Sequence, residues 1–362
     1  MNSMNDAMNG TMNGTMNGAM NEYLSPILGS HLSEWDLAPL DTFSFTDWVW
    51  RAVSGELDLT MTGILDGLMR AFFDGVIQNG LLIRQILVIA VLSALIRCLT
   101  DSFKAQSVGQ LGSFVSYILL IATVITSFRM SASILSDLVN QVTGMMEAAV
   151  PLMISLAAMS GNVSSAAIMQ PILFMGLALM ARFMSYVFIP LIIGASVLHI
   201  ANHLTENKVF TNIVDLINTG SKTALKFMMF LFLSLLTLQR ISAPIVNNLA
   251  LRTARAAAGA VPVVGGALSS AMDTVIHLST AARSGVLVAL VIVICIAVAV
   301  PLLNLLTFTV IYKLTAAVIQ PICSDDMVDC LDGLGDFTGI LFNAGVMVSL
   351  MFIFTCVIML LF

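Results

Sequence analysis

The sequence is short of charge. Only 10% of its 362 residues are Asp, Glu, Lys or Arg, where a soluble domain carries about 25%. It has no basic excess either: 15 basic residues against 21 acidic ones leave a net charge of −6. That balance argues against nucleic acid as a partner, because nucleic acid selects a concentrated positive surface. No P-loop, dinucleotide fingerprint or lipase elbow is present, so no cofactor and no catalysis are expected. The first residues lack the basic and apolar regions of a signal peptide. Cysteine is sparse. Of five residues, Cys98, Cys295 and Cys356 lie in apolar runs and read as packing residues, while Cys323 and Cys330 lie in an acidic stretch. An odd total without regular spacing is not a disulfide framework.

What fills the chain instead is apolar. Hydrophobic residues make up 58% of it and mean hydropathy is +0.97. A single globular core has too little volume for so much apolar surface, so the lipid bilayer is the solvent. A spanning helix needs about 20 mostly apolar residues. Candidates are Leu81–Leu99, Leu111–Phe128, Ala166–Ile200, Ala224–Leu238, Gly285–Ile319 and Gly339–Phe362. Two are long for one straight helix. Ala166–Ile200 contains Arg182 and Pro190, and Gly285–Ile319 contains Pro301 and Asn304, so each reads as a helical hairpin or a broken helix. The expected fold is all-α, a polytopic transmembrane bundle with six to eight crossings, eight preferred.

The chain before residue 81 divides in two. Residues 1–20 repeat Met-Asn with Gly and Thr or Ala, a low-complexity tail expected to be disordered. Residues 21–80 form an acidic, amphipathic, extracytoplasmic region. It holds Trp35, Trp48 and Trp50, and from Leu57 a helical period places Met61, Ile64, Leu65, Leu68, Met69, Phe72 and Val76 on one face. Such a helix lies on a membrane, packs on a partner, or packs within its own chain. The first 80 residues carry ten acids but only Arg51 and Arg70 as basic residues. With Arg97 and Lys104 following the first span, the positive-inside bias puts the N-terminal region outside the cytoplasm. Residues 81–362 are the multi-pass domain.

An internal repeat is visible within it. Ala149-Val150-Pro151, Gly161 and Ser164-Ser165-Ala166 are echoed by Ala260-Val261-Pro262, Gly265-Gly266 and Ser269-Ser270-Ala271, the triplets standing 111 residues apart. Units of about 111–203 and 222–314 would each hold a helix, an interrupted and re-entrant segment, and a long apolar pair. Three crossings per unit would invert the second relative to the first. Inverted repeats with interrupted segments are a transporter signature, with the interruptions near the working site. The candidate conduit or gating residues are therefore Pro151, Gly161, Asn162, Pro262, Gly265, Gly266 and Asp273. The competing reading is close helix packing through small residues.

Other constellations are weaker. His199 and His203 share a helical face, but Ile200 stands where a zinc protease has Glu, so they read as interfacial polar residues. Asp325, Asp326, Asp329, Asp332 and Asp336 with Cys323 and Cys330 have no regular ligand spacing and read as a solvated acidic loop without metal. Arg182 reads as the turn of a hairpin reaching the headgroups, with an intramembrane functional charge as the alternative.

The order of these features resembles a known family. Pro151 to Gly161-Asn162, Pro171 and the run to Pro190, Val261-Pro262-Val263-Val264-Gly265-Gly266-Ala267-Leu268-Ser269, and Gln320-Pro321-Ile322 are similar to the stage III sporulation protein AE (SpoIIIAE) family over roughly residues 50–362. The resemblance implies a multi-pass protein of the mother-cell membrane around the forespore of an endospore-forming bacterium. It implies partners among the other SpoIIIA-operon membrane proteins and a secretion-type ATPase, and indirectly the forespore protein SpoIIQ. Together they would form a channel complex needed for late forespore development and forespore sigma factor G activity. The Met-Asn repeat stands where family members have a cleavable signal peptide. Two rival readings remain: an independent secondary transporter or permease for a small solute, depending on Asp273, and a passive scaffold that docks an ATPase and ring proteins.

Overall fold

The computed structural model describes residues 61–103, 106–159, 174–204, 209–258 and 297–360, with residues 291, 294 and 295 of the approach to the last segment. Among them there is helix and no strand, as a bilayer requires of backbone that must pair its own N–H and C=O groups. The helices are α1 (Met61–Gln78), α2 (Gly80–Phe103), α3 (Gln106–Met159), α4 (Phe174–His203), α5 (Thr211–Ala258), α6 (Ala297–Ile319) and α7 (Asp325–Leu360). Five of these contain spans long and apolar enough to cross a membrane: Phe114–Glu147 of α3, α4, Thr211–Leu238 of α5, α6, and Asp325–Val357 of α7. A sixth arises if α1 and α2, bent by 49° at Asn79, count as one broken span. The bend is stitched by Asn79, whose backbone N–H and side-chain Nδ2 both donate to the Gly75 carbonyl.

The amphipathic α1 packs within its own chain. Gly75 is its contact point, where a methyl group would sit 3.0 Å from Thr307 Oγ1 of α6. Met69, Phe73 and Ile77 of α1 stay exposed. Residues 1–60, with the Met-Asn tail and the tryptophans, lie outside the described residues.

Three sequence expectations are corrected. First, α4 is one helix, with no hairpin turn at Arg182. Arg182 is exposed on its outer side. Pro190 does not break α4, because the preceding turn, Met184–Phe188, is π-helical and Ile189 N–H bonds to the Met184 carbonyl. That five-residue spacing lets the helix pass a residue with no N–H of its own. Second, α6 runs unbroken through Pro301 and Asn304, so the long apolar stretch does not turn or break at either residue; residues 285–290, 292, 293 and 296 lie outside the described residues. Third, the acidic loop is the start of α7. Ser324 caps it, its carbonyl accepting from Met327 N–H and Val328 N–H, and Asp325 and Asp326 stand in the first turn, where carboxylates favour the helix dipole. α3 also continues through Pro151 to Met159, so the interruption expected after Ala149 begins no earlier than residue 160.

α7 is the hub. It touches α3, α4 and α5 and, through Leu302 and Lys313, α6. Its buried face runs Met327, Cys330, Leu331, Leu334, Phe337, Leu341, Ala344, Val348 and Met351, the three-and-four spacing of a helix stripe. Three helices converge at Gly345, where a Cβ would stand 3.0 Å from Leu302, 3.1 Å from Leu138 and 3.4 Å from Leu135, so α3, α6 and α7 meet on a residue without a side chain. Gly194 of α4 has nothing within 4 Å of that position. Gly345→Leu should therefore cost about 1–3 kcal/mol through overpacking and visibly lower the melting temperature of the detergent-solubilised protein. Gly194→Leu should melt like wild type. Equal behaviour of the two variants would refute the three-helix contact.

Candidate functional site

The first three turns of α7 collect polar side chains from three other helices. On one side Asp332 and Asp336, one turn apart, hold Lys313 of α6 between them at 2.9 and 2.7 Å. The lysine stem lies along Gly335, where a Cβ would come within 3.0 Å of Lys313 Cγ. Each of the three side chains keeps roughly half of its surface or less in contact with the outside (40%, 51% and 44%). The cluster carries one net negative charge. Two carboxylates at this spacing repel, and the ammonium between them removes the repulsion.

On another side α4 brings His199. Its Nε2–H donates to the Asp329 carbonyl at 3.2 Å, and His203 Nδ1–H donates to the His199 carbonyl at 2.9 Å. A carbonyl only accepts, so each contact fixes which ring nitrogen carries the proton. The His199 ring stands edge-on to His203 and to Phe337, with centroids 4.6 and 5.8 Å away. It lies over Gly333 so closely that a Cβ there would meet Nε2 at 2.0 Å. The two histidines share a helical face as the sequence predicts, and they pack against the hub. At the end of α4, Asn202 joins it to α5, accepting from Phe210 N–H and donating to Thr211 Oγ1 at 2.8 Å each.

The third contributor is α3. Tyr117 faces Cys330 of α7. The hydroxyls of Ser127 and the fully buried Tyr312 of α6 contact each other, and each also reaches the Val124 carbonyl. Between α3 and α4 lies a cavity of about 250 Å³ lined by Ile125, Phe128, Arg129, Ile193, Ser196, Val197 and Ile200. Among the described residues, no group of three or more His, Cys, Asp and Glu could hold a metal ion. This constellation fastens four helices at one level and leaves a charged layer there. It contains no paired nucleophile and base.

Of the residues singled out in the sequence as conduit or gate, Pro151 is helical within α3. Gly161, Asn162, Pro262, Gly265, Gly266 and Asp273 lie outside the described residues, as do the segments 160–173 and 259–290 that would set the orientation of one repeat unit against the other. The sequence reading missed the Lys313 clamp and the Tyr312–Ser127 contact. The i, i+4 pair Asp332 and Asp336 was a signal for the first; the second joins residues 185 apart and has no local signature.

The whole chain was compared with known proteins. The family model described as stage III sporulation protein AE matches residues 43–362. The chain belongs to the stage III sporulation protein AE family. The stage III sporulation protein AE of Bacillus subtilis strain 168 is 28% identical over 302 residues, covering 83% of this chain and 75% of that one. No solved structure matches. Membership of the family supports a role in sporulation, and the apolar helices make the chain a multi-pass membrane protein.

The His199–Gly333 contact yields a test. Gly333→Ala should destabilise the solubilised protein, since the ring must move from a packed position, by about 1–3 kcal/mol. Adding His199→Ala should recover most of that loss. A double variant no better than Gly333→Ala alone would show that the two helices do not meet there.

Proposed function

We propose that this chain is a non-catalytic, multi-pass component of the SpoIIIA–SpoIIQ channel complex, seated in the mother-cell membrane around the forespore. It supports late forespore development and the activity of forespore sigma factor G. The observation that carries the reading is the family match across residues 43–362. Its neighbours in the complex are the other SpoIIIA-operon membrane proteins and a secretion-type ATPase, which would supply the energy for which this sequence has no nucleotide motif. SpoIIQ is reached indirectly.

Within that complex the parts assigned to the conduit are the last turns of α3 from Pro151, with Gly161 and Asn162 after them, in one repeat unit, and Pro262 to Asp273 in the other. Glycine pairs such as Gly265-Gly266 permit close backbone approach and unusual dihedrals, and irregular backbone in a membrane persists only beside protein or water. The N-terminal region lies on the extracytoplasmic side, toward the forespore, following the charge asymmetry around the first span.

An in-frame deletion in the spore-forming host tests this. Engulfed forespores should stall, a sigma factor G reporter should stay low, and heat-resistant spores should fall by orders of magnitude. Complementation with Gly265→Leu/Gly266→Leu should fail although the protein is abundant and inserted. Normal spores in the deletion strain would overturn the reading. Solute uptake by the purified protein alone in liposomes, lost on Asp273→Asn, would favour an independent transporter instead.

A further inference from the structure

Two outward faces of the bundle are polar where their surroundings are apolar. On α3, Ser133, Asp137, Asn140, Gly144 and Glu147 are all exposed and recur at spacings of four and three, which makes one stripe down a helix. On α5, Asp215, Thr219, Lys222 and Lys226 form a second exposed stripe at the same spacing. Both stripes fall inside candidate spans, Phe114–Glu147 and Thr211–Leu238. Among the described residues, the ion pairs are those of Lys313, so Asp137, Glu147, Lys222 and Lys226 have no ion-pair partner among those residues. Hydrocarbon is a poor surrounding for such groups. Lys222 and Lys226, one turn apart, also repel each other unless an acid lies alongside.

The two stripes stand at one depth. α4 pairs with α5 from the Asn202–Thr211 hydrogen bond to the Gly176–Leu235 contact, which levels Lys226 with the π-helical turn at Met184–Phe188. α4 also faces α3 across a cavity lined by Ile125, Phe128 and Arg129 on one side and Ile193, Ser196, Val197 and Ile200 on the other, and α3 touches the Met184–Phe188 turn as well. From Arg129, eight residues of α3, about 12 Å of rise, bring Asp137 to that same turn. Copies of a protein that sit alike in one bilayer are related by rotation about the membrane normal, which preserves depth. Equal depth within the chain therefore means equal depth between neighbours.

We propose that each α3 stripe is covered by the α5 stripe of a second copy of this chain. Lys226 pairs with Asp137, Lys222 lies beside Ser133, and Asp215 reaches toward Arg129. The two surfaces differ, so the contact is head-to-tail and repeats around a closed ring or along an open row. Charge complementarity at matched depth and matched spacing selects a second copy over a symmetric pairing, which would set Asp137 against Asp137.

The test uses the full chain in membranes, with exposed Cys98 and Cys295 replaced by Ser. One tagged copy carries Met130→Cys and a differently tagged copy carries Thr219→Cys. Oxidation should link the two tags several-fold more than either cysteine links to its own kind, and a chain bearing both should give a ladder of oligomers. Asp137→Lys should abolish the ladder, and combining it with Lys226→Asp should restore it. Links between like cysteines only, links to a different protein, no intermolecular link, or no restoration by the charge swap would each overturn the proposal.

Discussion

An ionised side chain in a membrane-spanning helix has little water to stabilise it, and the geometry around α7 answers that constraint. α7 carries five carboxylates between Asp325 and Asp336 and a long apolar stretch after them. Lys313 lies between two of the five, Asp332 and Asp336, and leaves that pair with one net negative charge. The His199 ring closes over Gly333, and Tyr117 lies against Cys330. With this layer in place, the apolar face of α7 from Phe337 onward can serve as the surface on which α3, α4 and α6 pack. Without it, α7 would bring unbalanced charge into a bundle with little else to offset it.

The helices that surround α7 repeat the problem on their outer sides. α3 and α5 each present an exposed polar stripe, and α4 presents Arg182. Among the described residues the ion pairs are those of Lys313 and these outer faces stay exposed, which supports the proposal that the chain is one part of an assembly. That agrees with a family role in sporulation and with the proposed place in a multi-subunit complex.

Much of the fold was legible in the sequence because membrane spans are read from composition. The apolar runs at Leu81–Leu99 and Ala224–Leu238 fall within α2 and α5, and the run from Gly339 lies in α7 as far as Leu360. The helical period before residue 80 became α1. What misled was punctuation. Pro190 and Arg182 read as a break, yet the π-helical turn at Met184–Phe188 absorbs the proline, and that depends on a backbone register no propensity encodes. Ser324-Asp325-Asp326 was a readable helix start, hidden by the habit of treating acids between spans as a loop. The Lys313 clamp, the His199–Gly333 contact and the Tyr312–Ser127 bond join different helices, so only packing reveals them.

The balance of charge at the hub is tested most directly by melting the solubilised protein in two forms, Lys313→Met and Lys313→Met/Asp332→Asn/Asp336→Asn. Removing one member of a charge cluster strands the others, while removing all of them does not. The account requires the triple variant to melt above the single one, close to wild type. A triple variant that melts no higher than Lys313→Met would contradict it, and α7 would then owe its position to apolar packing alone.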